Sequence, residues 1–550
     1  MDALIMDYQL TLNSVLHRAE TVFGGREIVS QLPDKTLHRY TYADMARRAR
    51  RLSVALSNLG IQQGDRVATF AWNHYRHLEA YFGIPASGAV LHTLNLRLHP
   101  DDIAYIVNHA GDRVVLVDDV LLPAFEKVLP LINVDHVVVM SDNDRVPVRM
   151  LSYEQLLAAV DPADFIEPFI DEKQPIAMCY TSGTTGRPKG VVYSHRALVL
   201  HSLGVLAADT LALSERDSVL PVVPMFHANG WGLPYACALA GARQVFPGPY
   251  LDPASIVSMI ERERVTLAAG VPTIWLGLLQ YLEQHAESVD LSSLTRTAIG
   301  GQAVPASMVR EFKDRYGVDV IQAWGMTETS PIATVSRVPS SAADAPPDVQ
   351  TRYLAMQGPA APLVDLRIRS GQEVVPWDGE SMGEVEVRGP WIASSYYNDP
   401  QSAEKFTDDG WLRTGDIATI DSLGYVEIRD RAKDVIKSGG EWISSIALEN
   451  QLMSHPAVAE AAVIAAVHPK WLERPVAVVV LKGGHSVTPD ELRDHLAPHF
   501  AKWWLPDAVL FVDEIPRTST GKFMKVALRD RYSQVLLERA EKPAQPVADD

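Results

Sequence analysis

The sequence is poor in cysteine, since only Cys179 and Cys237 occur in 550 residues. Two isolated cysteines form neither a disulfide framework nor the spacing of a metal site, and this pattern is typical of a reducing compartment. The first ten residues, MDALIMDYQL, carry two aspartates and no basic cluster, so they do not resemble a secretory signal. We therefore expect a cytoplasmic protein.

A hydrophobic run long enough to cross a membrane is also lacking. The longest nearly apolar stretch, residues 267–279, is interrupted by Pro272, Thr273 and two glycines. It is shorter than the roughly 20 residues that a membrane-spanning helix needs. The sequence therefore predicts no transmembrane segment.

The chain has no excess of positive charge: 50 lysines and arginines face 68 aspartates and glutamates, for a formal net charge of −18. This balance argues against a general nucleic-acid surface, although it allows a local cationic pocket for phosphates. The densest basic run, residues 47–51, lies among Met45, Ala49 and Leu52 at helical spacing. We assign its arginines to the solvated face of a helix and expect no nucleic-acid partner.

The length predicts two or more domains, because 550 residues exceed what one hydrophobic core supports. Thr41 is a candidate cap for a helix that Gly60 ends, and RVATFAW, AVLHTLN and RVVLVDD are typical of buried parallel strands. After about residue 380, short strands and turns lead into a compact α+β pattern. We predict an α/β fold: a large N-terminal domain of layered α/β subdomains over residues 1–432, a small α+β domain over 433–540, and a tail, 541–550, that frays.

A glycine- and hydroxyl-rich segment, TSGTTGRPKG at residues 181–190, is the strongest single motif. Glycines let backbone N–H groups approach phosphate oxygens, hydroxyls donate hydrogen bonds, and Lys189 neutralises charge. Strand-like IAMCY and VVYSH flank it and place it on a loop. A P-loop is the rival interpretation, but the spacing differs and Pro188 precedes the lysine. The candidate phosphate-binding residues are Thr181, Ser182, Gly183, Thr184, Thr185, Gly186 and Lys189.

Four further motifs follow in order along the chain: WGMTET at 324–329, TGD at 414–416, DRAKD at 430–434 and PRTSTGK at 516–522. Together with TSGTTGRPKG, they resemble the adenylate-forming superfamily of acyl-CoA synthetases, luciferases and peptide-synthetase adenylation domains. The resemblance covers nearly the whole chain. The segments YSHRALVLHSLG, VLPVVPMFH, KSGGEWISS and FAKWWLPD are similar to bacterial medium- and long-chain fatty acyl-CoA synthetases in particular.

The resemblance implies an AMP-forming acyl-CoA synthetase that uses ATP, Mg²⁺ and coenzyme A. A fatty acid would be activated as acyl-AMP with release of pyrophosphate and then transferred to the thiol. Thr184 and Glu328 would hold the magnesium ion, which prefers oxygen ligands. Lys522 would stabilise charge in the first step. Lys433 would be the hinge of a mobile C-terminal domain.

The nucleotide site that the resemblance implies draws on several motifs. Trp324 would stack on adenine, and Asp416 would accept the ribose hydroxyls. Besides the phosphate loop, the ATP- and AMP-binding residues would be Gly301, Gln302, Gln322, Ala323, Trp324, Gly325, Met326, Thr327, Asp416, Ile428, Arg431, Lys437 and Trp442.

The acid would bind near PMFHANGW, residues 224–231. In peptide-synthetase adenylation domains, an aspartate in the corresponding region pairs with the amino group of an amino acid. This segment contains no aspartate, so the resemblance disfavours a free amino acid. Its small and aromatic residues suit an apolar tunnel. Trp231 would gate that tunnel, and His227 would orient the carboxylate. The implied acyl-binding residues are His227, Trp231, Gly232, Gly301 and Gly325. The implied coenzyme A channel is Lys437, Ser438, Gly439, Gly440 and Glu441.

Several alternatives stay open on the sequence. His227 and Trp231 also fit structural roles, and a short branched, thioether or aryl acid is an alternative substrate. A luciferase-like oxygenase, an ADP-forming NTPase and a non-catalytic nucleotide-binding protein are more distant possibilities. By resemblance we also expect a homodimer.

Overall fold

The computed structural model describes residues 4–142, 146–181, 187–285, 289–438, 441–517 and 523–537. The chain divides into two compact units. Residues 1–366 and 387–412 form the first unit, and residues 367–386 and 413–550 form the second. The predicted fraying tail, 541–550, lies outside the described residues.

The first unit contains α-helices of varied length. They are α1 Leu12–Phe23, α2 Tyr42–Asn58, α3 Tyr75–Ala86, α4 Pro100–Ala110, α5 Leu122–Phe125, α6 Tyr153–Ala158, α7 His195–Leu206, α8 Ala228–Trp231, α9 Leu233–Ala240, α10 Pro253–Glu263, α11 Pro272–His285, α12 Ala306–Tyr316 and α13 Pro347–Ala355. Short 3-10 helices span Asp119–Leu121, Leu129–Leu131, Pro162–Asp164, Thr327–Thr329, Ser340–Ala342 and Ser402–Lys405.

The strands of the first unit build two largely parallel sheets. They are β1 Glu27–Gln31, β2 Leu37–Thr41, β3 Arg66–Phe70, β4 Val90–Thr93, β5 Asp112–Asp118, β6 His136–Met140, β7 Leu151–Ser152, β8 Pro175–Tyr180, β9 Gly190–Ser194, β10 Ser218–Pro221, β11 Arg243–Phe246, β12 Leu267–Gly270, β13 Arg296–Gly300, β14 Asp319–Gly325 and β15 Ile332–Val335. One sheet has the order β15-β14-β13-β12-β10-β11-β1-β2, and the other β7-β6-β5-β3-β4-β8-β9. β3 pairs in parallel with both β4 and β5, which confirms the predicted α/β arrangement.

The second unit is a smaller α+β structure. Its strands are β16 Asp365–Ser370, β17 Glu373–Val374, β18 Gly383–Arg388, β19 Leu412–Ile420, β20 Val426–Arg431, β21 Ile436–Ser438, β22 Glu441–Ile443, β23 Val458–His468, β24 Leu472–Leu481 and β25 Ala508–Phe511. Its helices are α14 Ser445–Met453, α15 Pro489–Leu496 and α16 Lys525–Tyr532, with a 3-10 helix at Lys502–Trp504. One sheet has the order β17-β16-β18-β19-β20, and the other β22-β21-β24-β23 with β25 on β24.

Helix α2 shows how local signals set the elements of the first unit. The Thr41 hydroxyl accepts a hydrogen bond from the Asp44 N–H at 3.2 Å, and the Asp44 carboxylate accepts one from the Thr41 N–H at 3.0 Å. This capping box satisfies two otherwise unpaired donors at the start of the helix. The helix ends just before Gly60, whose φ of 82° suits glycine. The predicted cap and stop are confirmed.

The arginines of α2 differ from the solvated face that the sequence predicted. Arg48 contacts Glu79 at 2.7 Å and Glu154 at 2.9 Å, and its side chain is 23% exposed. Arg50 similarly pairs with Glu20. Carboxylates on other elements, which helical periodicity does not reveal, draw these arginines partly into the protein.

Helices α11 and α12 cover the larger sheet and bury their apolar side chains against it. Trp275 on α11 is fully buried, and its ring lies 6.1 Å from that of Phe312 on α12. Both belong to one hydrophobic cluster with residues of the adjacent strands β12 and β13. Apolar faces of helices therefore fix the strand ends on which the candidate site lies. Among the described residues, no helix combines the length and hydrophobicity needed to cross a membrane.

Candidate active site

The two ends of the predicted phosphate loop are held together by β8 and β9. These strands are antiparallel, with Tyr180 opposite Gly190. The Thr181 N–H donates to the Lys189 carbonyl at 2.9 Å, and the Lys189 N–H donates to the Thr181 hydroxyl at 3.1 Å. The loop therefore begins and ends at a strand pair, as the flanking sequence predicted. Ser182, Gly183, Thr184, Thr185 and Gly186 lie outside the described residues.

The WGMTET motif begins on β14 and ends in a 3-10 turn. Gln322, Ala323, Trp324 and Gly325 lie on the strand, while Thr327 and Glu328 belong to the turn. A Cβ at Gly325 would lie 1.7 Å from the Pro331 carbonyl oxygen, so only glycine fits this close approach. The chain leaves the strand after Gly325 and enters the turn at Met326.

The backbone of this turn is fastened from two sides. The Tyr193 hydroxyl donates to the Thr327 carbonyl at 2.7 Å. The Ala393 N–H donates to the Glu328 carbonyl at 2.8 Å. These bonds fix the backbone that carries the Glu328 side chain, and Glu328 is buried at 5% exposure.

Glu328 has an unusual partner for a buried carboxylate. The Tyr396 hydroxyl donates to Glu328 Oε1 at 2.5 Å. Burial, followed by the charge of Glu328, raises the pKa of Tyr396 well above its ordinary value, so the phenol keeps its proton. Within the described ranges, no lysine, arginine or histidine forms an ion pair with Glu328.

A buried carboxylate without a cationic partner is costly, and a bound cation removes that cost. Magnesium needs only one or two protein carboxylates, because substrate phosphates and water supply its other ligands. Glu328 therefore fits the predicted magnesium site. Thr184, the second predicted ligand, lies outside the described residues.

Lys189 lies on the other side of the same tyrosine. Its Nζ is 4.9 Å from the centroid of the Tyr396 ring and 2.8 Å from Asp399 Oδ2. The Tyr397 N–H also donates to the Gly190 carbonyl at 2.8 Å. Tyr396 and Asp399 were not predicted from the sequence, although the structure joins them to two predicted motifs. The only available signal was the dense run YYND, which has no established spacing.

The predicted adenine and acyl residues meet at the carboxyl ends of β13 and β14. Gly300 lies opposite Ala323 in the parallel pair. A Cβ on Gly300 would approach the Ala323 carbonyl oxygen to 2.8 Å and the indole of Trp231 to 3.4 Å. Gly301 follows with a φ of 85°, a conformation that favours glycine, and Gln302 comes next in the loop. Small residues thus let the Trp231 ring lie against this strand end.

The acyl segment contains α8, whose residues have left-handed backbone angles, so it is a left-handed turn and not a regular α-helix. Ala228, Asn229, Gly230, Trp231 and Gly232 have φ values of 40°, 55°, 60°, 57° and 71°. Left-handed backbone costs roughly 1–2 kcal/mol for each residue other than glycine. Such strain concentrates at ligand-binding and switch regions, so its occurrence here is consistent with a functional segment.

Two histidines border this left-handed turn. A Cβ on Gly232 would lie 2.7 Å from the His201 ring, so the ring packs closely on the turn. His201 is buried, which lowers its pKa to about 3. His227 precedes the turn, and its ring centroid is 4.7 Å from that of Phe226.

The second unit holds the remaining predicted residues. Asp416 on β19 faces Arg431 on β20, and Arg431 Nε lies 2.6 Å from Asp416 Oδ1. Ile428 lies on the same β20 strand. Lys433 is in the turn that follows. The Asp416–Arg431 pair places a buried carboxylate beside a partly exposed guanidinium.

The predicted coenzyme A segment forms the hairpin of β21 and β22. Lys437 lies opposite Trp442, and Ser438 lies opposite Glu441. Gly439, Gly440 and the Glu441 side chain lie outside the described residues, as does Lys522. The roles of these residues stay predictions.

The chain belongs to the AMP-binding enzyme family. Residues 16–397 match the family named AMP-binding enzyme, and residues 447–522 match the AMP-binding enzyme C-terminal domain. This confirms the family predicted from the five motifs.

Relatives with known names match nearly the whole chain. A long-chain-fatty-acid–CoA ligase of Thermus thermophilus is 52% identical over 532 residues, covering 96% of each protein. A medium-chain-fatty-acid–CoA ligase of Ectopseudomonas oleovorans is 44% identical over 541 residues, covering 97% of this chain and 98% of the relative. The crystal structure of the anthranilate CoA ligase AuaEII in complex with anthranoyl-AMP matches with a TM-score of 0.85 and 26% identity. That match covers 98% of this chain and 100% of the other, and the fold class is confirmed.

Proposed function

We propose that this protein activates a medium- to long-chain fatty acid with ATP and transfers the acyl group to coenzyme A. The observation that carries the proposal is the buried Glu328, held by a neutral donor beside Lys189. This arrangement suits a cation and a polyphosphate, and it occurs in a chain 52% identical to a long-chain-fatty-acid–CoA ligase. The relatives' names support the acid and the thiol, which the site geometry alone does not specify.

The first step makes the acid electrophilic. A carboxylate oxygen attacks the α-phosphorus of ATP, the bond to the bridging oxygen breaks, and pyrophosphate leaves. Lys189 and the phosphate loop would bind the polyphosphate, and Trp324 would stack on adenine. Asp416 would accept the ribose hydroxyls, with Arg431 beside it. Lys522 would stabilise the charge that develops at the reacting carboxylate and phosphate.

Magnesium belongs to the proposal through Glu328 and Thr184. When bound, the ion would neutralise phosphate charge during the transfer. Glu328 would contribute one carboxylate, and Tyr396 would hold that side chain in place. The buried carboxylate and its neutral partner support this assignment.

The second step transfers the acyl group. The coenzyme A thiolate attacks the carbonyl carbon of acyl-AMP, and AMP leaves with the electron pair of the broken bond. Division of one difficult reaction into two easier ones is the usual advantage of a covalently activated intermediate. We keep Lys433 as the hinge between domains 1–432 and 433–540, and residues 437–441 as the thiol channel.

The acid would occupy the region around the left-handed turn. Trp231 lies against Gly300, so movement of the indole would change the space beside the strand end. Strain in residues 228–232 supports a functional role for this segment. We therefore propose that Trp231 gates an acyl tunnel that also involves His227, Gly232, Gly301 and Gly325.

A homodimer and a cytoplasmic location complete the proposal. Leu4, Ile5, Met6 and Tyr8 are each at least 67% exposed, and such apolar surface favours association with a second copy. The two free cysteines are buried and suit a reducing compartment. Light scattering coupled to size-exclusion chromatography would give twice the 60.5 kDa chain mass for the dimer. A mass of one chain at micromolar concentration would contradict it.

The proposal is tested by product analysis with ATP, Mg²⁺, coenzyme A and single acids. The acids are linear chains from propionate to palmitate, benzoate and a thioether acid. We expect AMP, pyrophosphate and acyl-CoA in equal amounts, with the highest kcat/KM for a medium- or long-chain acid. ADP formation would overturn the reaction, whereas a preference for benzoate or the thioether acid would overturn only the substrate.

A further inference from the structure

One segment of the first unit connects the phosphate loop with the WGMTET turn. This bridging segment comprises residues 391–399, WIASSYYND. The Ser330 hydroxyl donates to the Trp391 carbonyl at 2.6 Å, and the Trp391 indole N–H donates to the Ile332 carbonyl at 2.9 Å. The segment is thus fixed by side-chain bonds next to the turn that carries Glu328.

The opposite end of the bridging segment is fixed to the phosphate loop. The isolated bridge between Gly190 and Tyr397 joins it to the first residue of β9. The ion pair between Asp399 and Lys189 adds a second connection. The same short segment therefore reaches both motifs within nine residues.

Among the described residues, the Tyr396 side chain contacts both Glu328 of the WGMTET turn and Lys189 of the phosphate loop. Its hydroxyl bonds to Glu328 Oε1 at 2.5 Å, while its ring lies under Lys189 Nζ at 4.9 Å. The side chain is buried at 7% exposure and also packs against Phe406, with ring centroids 6.0 Å apart. Few rotamers remain available to a ring that is held in this way.

We propose that Tyr396 is a positioning residue that presents the Glu328 carboxylate to the magnesium ion of MgATP. The inference rests on the proposed function, because it requires a metal-bound nucleotide. A hydroxyl donor holds Oε1 by a charge-assisted bond without cancelling the negative charge. A lysine or arginine in its place would neutralise the carboxylate and compete with a metal ion.

The decisive variant is Tyr396→Phe, which removes the hydroxyl and keeps the ring beneath Lys189. ATP binding is measured by calorimetry with Mg²⁺ raised from an EDTA-treated sample to saturation, so the readout does not depend on turnover. We expect the Mg²⁺ concentration that gives the half-maximal gain in ATP affinity to rise about tenfold, as loss of one hydrogen bond to a charged group implies. ATP affinity in EDTA should stay unchanged.

A matched control is Tyr316→Phe on α12. The Tyr316 hydroxyl has no hydrogen-bond partner among the described residues. It also lies on a helix that carries none of the candidate site residues. This variant should keep the wild-type dependence on Mg²⁺. The same change of residue type then separates the Glu328 contact from a general effect of removing a tyrosine hydroxyl.

A second test uses the background Glu328→Gln, in which the carboxylate charge is already absent. Tyr396→Phe should then have no further effect on the Mg²⁺ dependence. Adenylation by the single Tyr396→Phe variant should recover at high Mg²⁺, and thiol transfer from supplied acyl-AMP should match wild type.

Several results would overturn the positioning role. An unchanged Mg²⁺ dependence in Tyr396→Phe would remove it, and so would an equal loss of ATP affinity with and without Mg²⁺. A further shift in the Glu328→Gln background would show that the tyrosine acts elsewhere. If the wild-type protein bound ATP with no dependence on Mg²⁺, the proposed function itself would fail, which is distinguishable from failure of Tyr396 alone.

Discussion

Two buried glutamates, one in each unit, have opposite surroundings. Glu328 in the first unit accepts a hydrogen bond from the neutral Tyr396 hydroxyl. Glu449 in the second unit is 2.7 Å from Lys525 Nζ and accepts the Val463 N–H at 2.6 Å. Both residues are less than 7% exposed. The first carboxylate lacks a cation from the described chain, whereas the second has one.

The charge state of the second pair follows from its neighbours. Burial raises the pKa of Glu449 to about 7. Burial by itself would lower the pKa of Lys525. The charges of Glu449, Asp430 and Asp434 outweigh that loss, so the pKa of Lys525 is raised overall. The Lys525 ammonium therefore stays charged near neutral pH, and it also donates a hydrogen bond to the Ser445 hydroxyl at 2.6 Å.

The difference shows how to distinguish a structural carboxylate from a candidate ligand. Burial alone does not separate these two kinds of carboxylate, because a stable fold must compensate the cost of burying either one. A cation from the chain indicates an internal structural pair. A neutral donor leaves the negative charge in place, and a substrate-bound cation can then complete the site.

The largest expected effect is the loss of adenylation activity in the variant Glu328→Gln. The amide keeps the size of the side chain but loses the charge, so adenylation should fall about 100-fold or more, as for loss of one key electrostatic contact. Acid-dependent exchange of labelled pyrophosphate into ATP measures the first step alone. The melting temperature of the metal-free protein should not fall, because the variant breaks no internal ion pair and removes an uncompensated buried charge. A fully active variant would place the metal elsewhere.

Glu449→Gln should show the opposite balance, with the larger effect on stability. It leaves Lys525 buried without its main partner, which costs about 3–5 kcal/mol in the free energy of unfolding. Denaturant titration measures the loss. The double variant Glu449→Leu/Lys525→Met should recover most of it, since an apolar pair of similar volume replaces the ions. Equal destabilisation by the single and double variants would contradict the structural role.

Arg431→Gln tests an intermediate case, in which a buried carboxylate has a partly exposed cation. Asp416 would keep its place but lose the guanidinium 2.6 Å away. We expect the KM for ATP to rise about tenfold, as loss of a hydrogen bond to a charged group implies. Stability should fall by less than in Glu449→Gln, because Arg431 is partly exposed and solvent already screens part of its interaction with Asp416. Steady-state kinetics with ATP varied will measure the first effect. A large drop in stability with unchanged KM would make the pair structural.

The smallest effect is expected for an exposed ion pair between α12 and the start of β14, the strand that carries Trp324. Lys313 Nζ lies 2.6 Å from Asp319 Oδ1, and both side chains are more than half exposed. Asp319→Asn should change the melting temperature by less than about 1 °C and leave pyrophosphate exchange unchanged. A clear loss of activity would mean that charge anywhere along β14 affects the site, and the contrast between the two glutamates would lose its meaning.

Much of the fold was predictable because local signals and tertiary packing agree. The Thr41 cap, the strands β3, β4 and β5, and the placement of residues 181–190 between β8 and β9 all follow from periodicity and turn chemistry. The partly buried Arg48 did not follow, because Glu79 and Glu154 are distant in sequence.

The candidate site was predictable where motifs carry it and not where tertiary contacts do. Glu328 and Lys189 belong to recognisable segments. Tyr396 and Asp399 act through contacts across 68 and 210 residues of chain, respectively. The left-handed run at residues 228–232 was also hidden, because only two of its five residues are glycines. Backbone conformation that tertiary packing imposes has no signal in residue type alone.

The central claim is that a carboxylate oxygen attacks the α-phosphorus of ATP. The most direct test is the fate of oxygen-18 placed in both carboxylate positions of dodecanoate, during turnover with ATP, Mg²⁺ and coenzyme A. Mass spectrometry should find one labelled oxygen in AMP and none in pyrophosphate, because AMP departs with the oxygen that formed the anhydride. Label in inorganic phosphate together with ADP, or unlabelled AMP, would contradict the account.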